Sequence, residues 1–175
     1  MEDSKPVSIV VMGVQGIGKS TIGILLAERL GVPFVDGDGL HSRKNIDLMA
    51  SGQALSDSDR EPWLEEVGAT LAEYAEHSGV VVACSALRHI YRDRLRALSP
   101  STFFVEPHGP IELVSARITK RDHDFMPANL LQSQYDTLET LTDDESGIRV
   151  SITATPQEMV DVIVLEYLSR KQEAS

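Results

Sequence analysis

Residues 13 to 20 read Gly-Val-Gln-Gly-Ile-Gly-Lys-Ser, with three glycines and a lysine-serine pair spaced as Gly13-x-x-x-x-Gly18-Lys19-Ser20. With no Cβ at Gly13, Gly16 or Gly18, the backbone can curl with its N–H groups turned inward, and a helix starting at the lysine adds its positive end. The chemistry that uses this arrangement is the cradling of a polyphosphate. In that reading Gly13, Val14, Gln15, Gly16, Ile17, Gly18, Lys19, Ser20 and Thr21 wrap the phosphates of a nucleoside triphosphate. Lys19 bridges the β- and γ-phosphates, and the Ser20 hydroxyl ligates Mg²⁺. Switches, motors, kinases and transporters share such a loop, so the phosphoryl acceptor must be read elsewhere in the chain.

A second candidate is Asp36-Gly37-Asp38-Gly39, followed by His41, Arg43 and Asn45. Alone, the four residues read as well as a surface turn, since both types favour turns. The neighbouring polar pattern makes a functional loop the stronger reading. Basic residues gather at Arg43-Lys44, from Arg88 to Arg96, and from Arg117 to Arg121. Arg117 and Arg121 are four apart and so share a helical face.

The elements that must position these groups follow from apolar spacing. Val7 to Met12 is a nearly continuous β-branched run ending at Gly13, as a strand covered on both faces requires. Ile22, Leu25, Leu26 and Leu30 then recur at helical spacing up to Gly31. Further strands are expected at 33–35, 80–84, 102–106 and 149–153, with helices over 42–51, 58–78 and 88–98 and another opened by Pro110. Thr155-Pro156-Gln157-Glu158 reads as a capping box opening a last helix to about Arg170. Strand and helix alternate, which predicts an α/β fold with a five-stranded parallel sheet flanked by helices. The polar stretch 121–147, with a short helical pattern around Leu130 to Leu138, is expected to be a mobile lid.

At 175 residues one domain is the natural prior. A net charge of −11 repels polyanions, which argues against nucleic acid as the partner. No apolar run is long enough to span a bilayer, so no membrane role is expected. The single cysteine, Cys84, excludes an intrachain disulfide and a cysteine-based zinc site, and with no signal-like start a cytoplasmic location is expected. Cys84 and Trp63 are read as core and packing residues.

Several segments occur together: Asp36-Gly37-Asp38, His41-x-Arg43-x-Asn45, Met49-Ala50-Ser51-Gly52, Asp57-x-Asp59-Arg60-x-Pro62-Trp63-Leu64, and Cys84-Ser85-Ala86-Leu87-Arg88 with Tyr91-Arg92-Asp93. Phe125-Met126-Pro127, Leu130-Leu131-x-Ser133-Gln134 and Thr137-Leu138-Glu139 follow in order. With the glycine loop, this set resembles the gluconokinases, from about Val7 to Leu168. That family transfers the γ-phosphoryl of ATP to the 6-hydroxyl of D-gluconate on a P-loop fold like those of shikimate and adenylate kinases. One departure is His123-Asp124-Phe125, where the family often has histidine directly before phenylalanine; His123 is given no catalytic role.

The resemblance implies ATP and Mg²⁺ as cofactors, D-gluconate as the small-molecule partner and, since such enzymes are commonly dimers, a homodimer. It implies that residues 37–78 form a helical substrate-binding insertion. It makes Asp38 the group that binds and deprotonates the sugar hydroxyl, and places Asp36 in the Mg²⁺ shell through water. Arg117 would stack on adenine and Arg121 would reach the phosphates. Gluconate is a carboxylate with a row of hydroxyls, so guanidinium groups and short polar side chains should receive it. Asp38, His41, Arg43, Ser85, Ala86, Arg88 and Arg92 are the candidates. A kinase for another sugar acid or shikimate, and a non-catalytic ATP-binding regulator, are the alternative readings.

Overall fold

The computed structural model describes residues 5–120 and 128–174. β1 (Ser8–Val11) is buried along its whole length. Ile9 and Val11 point into one core and Val10 and Met12 into another, so its β-branched run covers both faces of a sheet. α1 (Lys19–Leu30) begins at Gly18 and ends at Gly31, each with the positive φ that glycine adopts freely. β2 (Phe34–Asp36) leads through a 3-10 turn, Gly37–Leu40, into α2 (Arg43–Ala50) and α3 (Asp57–Ala75). Then follow β3 (Val80–Ala83), α4 (His89–Leu98), β4 (Phe103–His108), α5 (Ile111–Lys120), α6 (Ala128–Thr137), β5 (Gly147–Ser151) and α7 (Pro156–Glu173).

The five strands pair in parallel in the order β2-β3-β1-β4-β5. From central β1 the chain first builds towards β2 and β3 and later returns to the other side for β4. The direction of winding therefore reverses beside β1, and a crevice opens at its carboxyl end. One core lies between the sheet and α1 and α7, with Leu26, Met159 and Ile163. The other lies against α3 and α4, with Trp63, Leu71 and Leu95.

Helix starts follow the local chemistry. Ser56 and Asp59 cap each other at the start of α3, and Thr155 and Glu158 do the same at α7, with Pro156 at the first turn. β4 runs two residues further than expected, through Pro107. Its pairing with β1 ends at Val105 while that with β5 continues to His108, so the proline falls where β4 has one neighbour instead of two. β5 begins at Gly147, two residues before the expected start.

The stretch expected to be a lid divides. Residues 121–127, which include Arg121, His123 and Phe125-Met126-Pro127, lie outside the described residues. From α6 onward the chain is built into the body. Leu130 and Leu131 are buried in the same core as Val14 and Ile17. Glu139 N–H donates to the Leu87 carbonyl at 2.7 Å, and Phe104 N–H donates to the Ser146 carbonyl at 2.9 Å.

Candidate active site

The loop after β1 has the conformation its glycines permit, with φ of 125° at Gly13, 81° at Gly16 and 111° at Gly18. Gly13 N–H donates to the Ser85 carbonyl at 3.0 Å, and Val14 and Ile17 bury their side chains beneath the loop. No side chain caps α1 at Gly18, so the first-turn N–H groups stay open towards an anion. Gln15, Gly16, Gly18, Lys19, Ser20 and Thr21 line a cleft of about 300 Å³. Lys19 Nζ donates to the carbonyls of Gly13 and Val14, each at 3.0 Å. Burial lowers the Lys19 pKa, opposed chiefly by the negative charge of Asp38.

Asp36 and Asp38 face this cleft across from the loop. The Asp36 carboxylate accepts from Asp38 N–H at 3.0 Å, which caps the 3-10 turn. Between them Gly37 lies so close to β3 that a Cβ there would stand 2.4 Å from the Ala83 carbonyl oxygen. On its other side Trp63 Nε1–H donates to the Gly37 carbonyl at 2.8 Å. The loop is thus held from β3 and from α3, leaving both carboxylates exposed. Trp63 is the packing anchor expected of it, and it also forms a wall of the site.

A second cleft, of about 320 Å³, opens beyond Asp38. His41, Arg60, Trp63, Ser85 and Leu87 are among its walls. His41 stacks on Trp63 with ring centroids 4.1 Å apart. Asn45, buried, donates from Nδ2 to the Asp59 carbonyl at 2.8 Å and lies 3.4 Å from His41 Nδ1, so α2 is tied to α3 and the imidazole is held in place. Burial and the nearby Arg60 charge lower the His41 pKa to about 4, which keeps the ring neutral near pH 7. Gln15, Lys19 and Asp38 belong to both clefts. Whatever passes between the two must pass these three residues.

The arginines expected at the substrate are arranged differently. Arg43 points outward, its side chain 87% exposed, and pairs with Asp47. Arg88 is held by Asp57 at 2.8 Å and Glu139 at 3.1 Å. Neither is among the residues lining the second cleft. Arg92 is completely buried and cannot reach a ligand. Its guanidinium donates to Glu145 at 2.7 and 2.9 Å and to the Ala86 carbonyl at 2.9 Å.

Ala86 has a φ of 41°, the one positive value at a non-glycine position among the described residues. Such a backbone persists only where its surroundings over-determine it. Arg92 therefore holds Ala86 in the turn between Ser85 and Leu87, and so shapes the cleft without touching its contents. Ala86 itself is buried.

The guanidinium that does line the second cleft is Arg60, which donates to the Leu55 carbonyl at 2.6 Å and to Tyr91 Oη at 3.2 Å. Its signal in the sequence was its place three residues before Trp63. Burial, and next the Asp38 charge, push the Cys84 thiol up to about 12, so it stays protonated as a core residue.

Arg117 lines the first cleft and not the second, and donates to the Ile152 carbonyl at 2.9 Å. Among the described residues no three His, Cys, Asp or Glu side chains gather to hold a metal. A cation in the first cleft would draw on Ser20, on phosphate oxygens and on waters near Asp36, the usual habit of Mg²⁺.

Residues 15–164 match the shikimate kinase family model. The gluconokinase of Gluconobacter oxydans (strain 621H) is 43% identical over 171 residues, which cover 97% of this chain and 93% of that protein. The crystal structure of a gluconokinase from Sinorhizobium meliloti 1021 superposes with a TM-score of 0.89 at 40% identity, over 97% of this chain and 95% of that one. A shikimate kinase from Aquifex aeolicus vf5 shares the fold alone, with a TM-score of 0.63 at 20% identity over 94% and 98% of the two chains. With two clefts meeting at Lys19 and Asp38, on a sheet shared with these proteins, the chain belongs to the gluconokinases within the shikimate kinase family.

Proposed function

We propose that this protein transfers the γ-phosphoryl group of ATP to the 6-hydroxyl of D-gluconate. The observation that carries the reading is the meeting of the two clefts at Gln15, Lys19 and Asp38. A triphosphate lying along the α1 N-terminus, with its base towards Arg117, directs its γ-phosphoryl at Asp38. A polyol acid in the second cleft brings a hydroxyl to the same place from the other side, the in-line geometry that phosphoryl transfer uses.

The roles then follow from position. Asp38 takes the hydroxyl proton as the oxygen–phosphorus bond forms, and ADP leaves as the bridging bond breaks. Lys19 and the loop N–H groups stabilise charge on the transferring oxygens. Ser20, with waters near Asp36, would hold Mg²⁺, which would supply neutralisation of the phosphate charge. Arg60 is placed to receive the gluconate carboxylate, and His41, neutral, with Ser85 to hydrogen-bond its hydroxyls.

The test is coupled ADP release with ATP and Mg²⁺ across a panel of sugar acids, polyols and shikimate. Gluconate is expected to be the preferred acceptor. Strong turnover of shikimate with none of gluconate would overturn the assignment, and nucleotide binding without transfer to any acceptor would make the protein a binding module.

A further inference from the structure

Gln15 sits at the border of the two clefts, and its backbone N–H has a partner from a distant element. It donates to the side-chain carbonyl of Gln134, on α6, at 2.7 Å across 119 residues of sequence. α6 is otherwise docked by Leu130 and Leu131, buried with Val14 and Ile17, and by Tyr135 Oη donating to the Gly109 carbonyl at 2.9 Å. Gln134 is thus the polar tie between α6 and the phosphate loop. It meets an N–H of a residue that lines both clefts, at the border where the function proposed above puts the γ-phosphoryl group.

We propose that Gln134 is a latch that occupies the γ-phosphoryl position on the loop, so that its side-chain carbonyl and the γ-phosphoryl group exchange at the Gln15 N–H. This rests on the nucleotide half of the function proposed above. The amide carbonyl is a neutral acceptor, whereas a phosphoryl oxygen is charged and accepts a hydrogen bond roughly twice as strong, so the exchange runs towards the nucleotide. ADP, lacking that group, leaves the latch in place. Gln134 is accordingly a positioning residue. It makes the contact between α6 and the phosphate loop depend on the third phosphate.

The chemistry makes opposite demands on two near-isosteric variants. Gln134→Glu puts a charged acceptor against the same N–H and a like charge beside the γ-phosphoryl group. Affinity for the non-hydrolysable β,γ-imido analogue of ATP is expected to fall by about tenfold or more, with that for ADP changed less than about twofold. Gln134→Met keeps the length and loses the acceptor, so the affinity ratio of triphosphate to ADP is expected to rise by roughly threefold to tenfold.

The measurement is calorimetric titration of each nucleotide with Mg²⁺ in the absence of gluconate, with far-ultraviolet circular dichroism to confirm folding. Equal shifts for both nucleotides in both variants, or an unchanged ratio in both, would overturn the latch and leave Gln134 a merely structural contact. Variants that shift the ratio as expected, with wild-type protein that fails to phosphorylate gluconate, would overturn only the acceptor assignment. Failure to bind either nucleotide would overturn both.

Discussion

His41 lies face to face with Trp63, the ring planes 13° from parallel and the centroids 4.1 Å apart. The stack closes one wall of the second cleft, and burial there, with the Arg60 charge, keeps the imidazole neutral. Its folded pKa, about 4, is below the ordinary 6.5, so between these values the unfolded chain holds the proton and the folded one does not. His41 should leave stability unaffected above pH 6.5 and cost stability as pH falls from 6.5 towards 4. Urea midpoints measured across this window are expected to decline in the wild type and to decline less in His41→Phe.

Trp63 is the single tryptophan of the chain, so its emission reports the second cleft alone. Gluconate is expected to perturb that emission saturably, whereas Mg²⁺–ADP should perturb it little. An equal response to both, in a fluorescence titration, would mean that the acid does not bind beside Trp63.

Asp38→Asn keeps the shape and hydrogen-bonding reach of the side chain but removes its basicity. Turnover is expected to fall by about 10²- to 10⁴-fold with gluconate binding nearly unchanged. Steady-state kcat and KM from ADP release separate the two. Near wild-type kcat would remove Asp38 from proton transfer.

Arg60 and Arg43 provide a paired comparison. Loss of a hydrogen bond to a charged group is worth about 1.5–3 kcal/mol, so Arg60→Met should raise the gluconate KM by roughly 10- to 150-fold. Arg43→Met, at an exposed position paired with Asp47, should change it less than about twofold. The reverse order in initial-rate measurements would place the carboxylate at the edge of α2.

Arg92 and Glu145 form a buried pair whose loss should appear in stability first. Arg92→Met leaves Glu145 with Arg96 as its remaining guanidinium partner, at 2.8 Å, so it should destabilise in urea unfolding by less than the about 3–5 kcal/mol that a wholly unpaired buried charge costs. The double substitution with Glu145→Gln should recover part of the loss. Burial alone would raise the Glu145 carboxyl, but the hydrogen bonds from Arg92 and Arg96 hold it at about 2, below the ordinary 4.5. Its contribution should be complete above pH 4.5 and disappear as pH falls from 4.5 to 2. An acid-unfolding curve unchanged in Glu145→Gln would contradict this.

What the sequence alone determined was whatever depends on neighbours in the chain. The strand, glycine loop and helix from Ser8 to Leu30, the Asp36-Gly37-Asp38 turn and the Thr155–Glu158 cap are set by residues within a few positions of one another. So is the alternation that dictates a parallel sheet. Element ends were less legible, because where β4 and β5 stop pairing depends on which strand lies beside them.

Tertiary structure alone decided which charged groups face the clefts. Arg60 and Arg92 look alike as residues in motifs, yet one lines the second cleft and the other is buried against Glu145, 53 residues away. The contact of Gln134 with Gln15 likewise depends on the docking of α6, whose Leu130 and Leu131 are buried in the same core as Val14 and Ile17. Side-chain direction is fixed by packing between distant segments, and spacing along the chain carries no record of it.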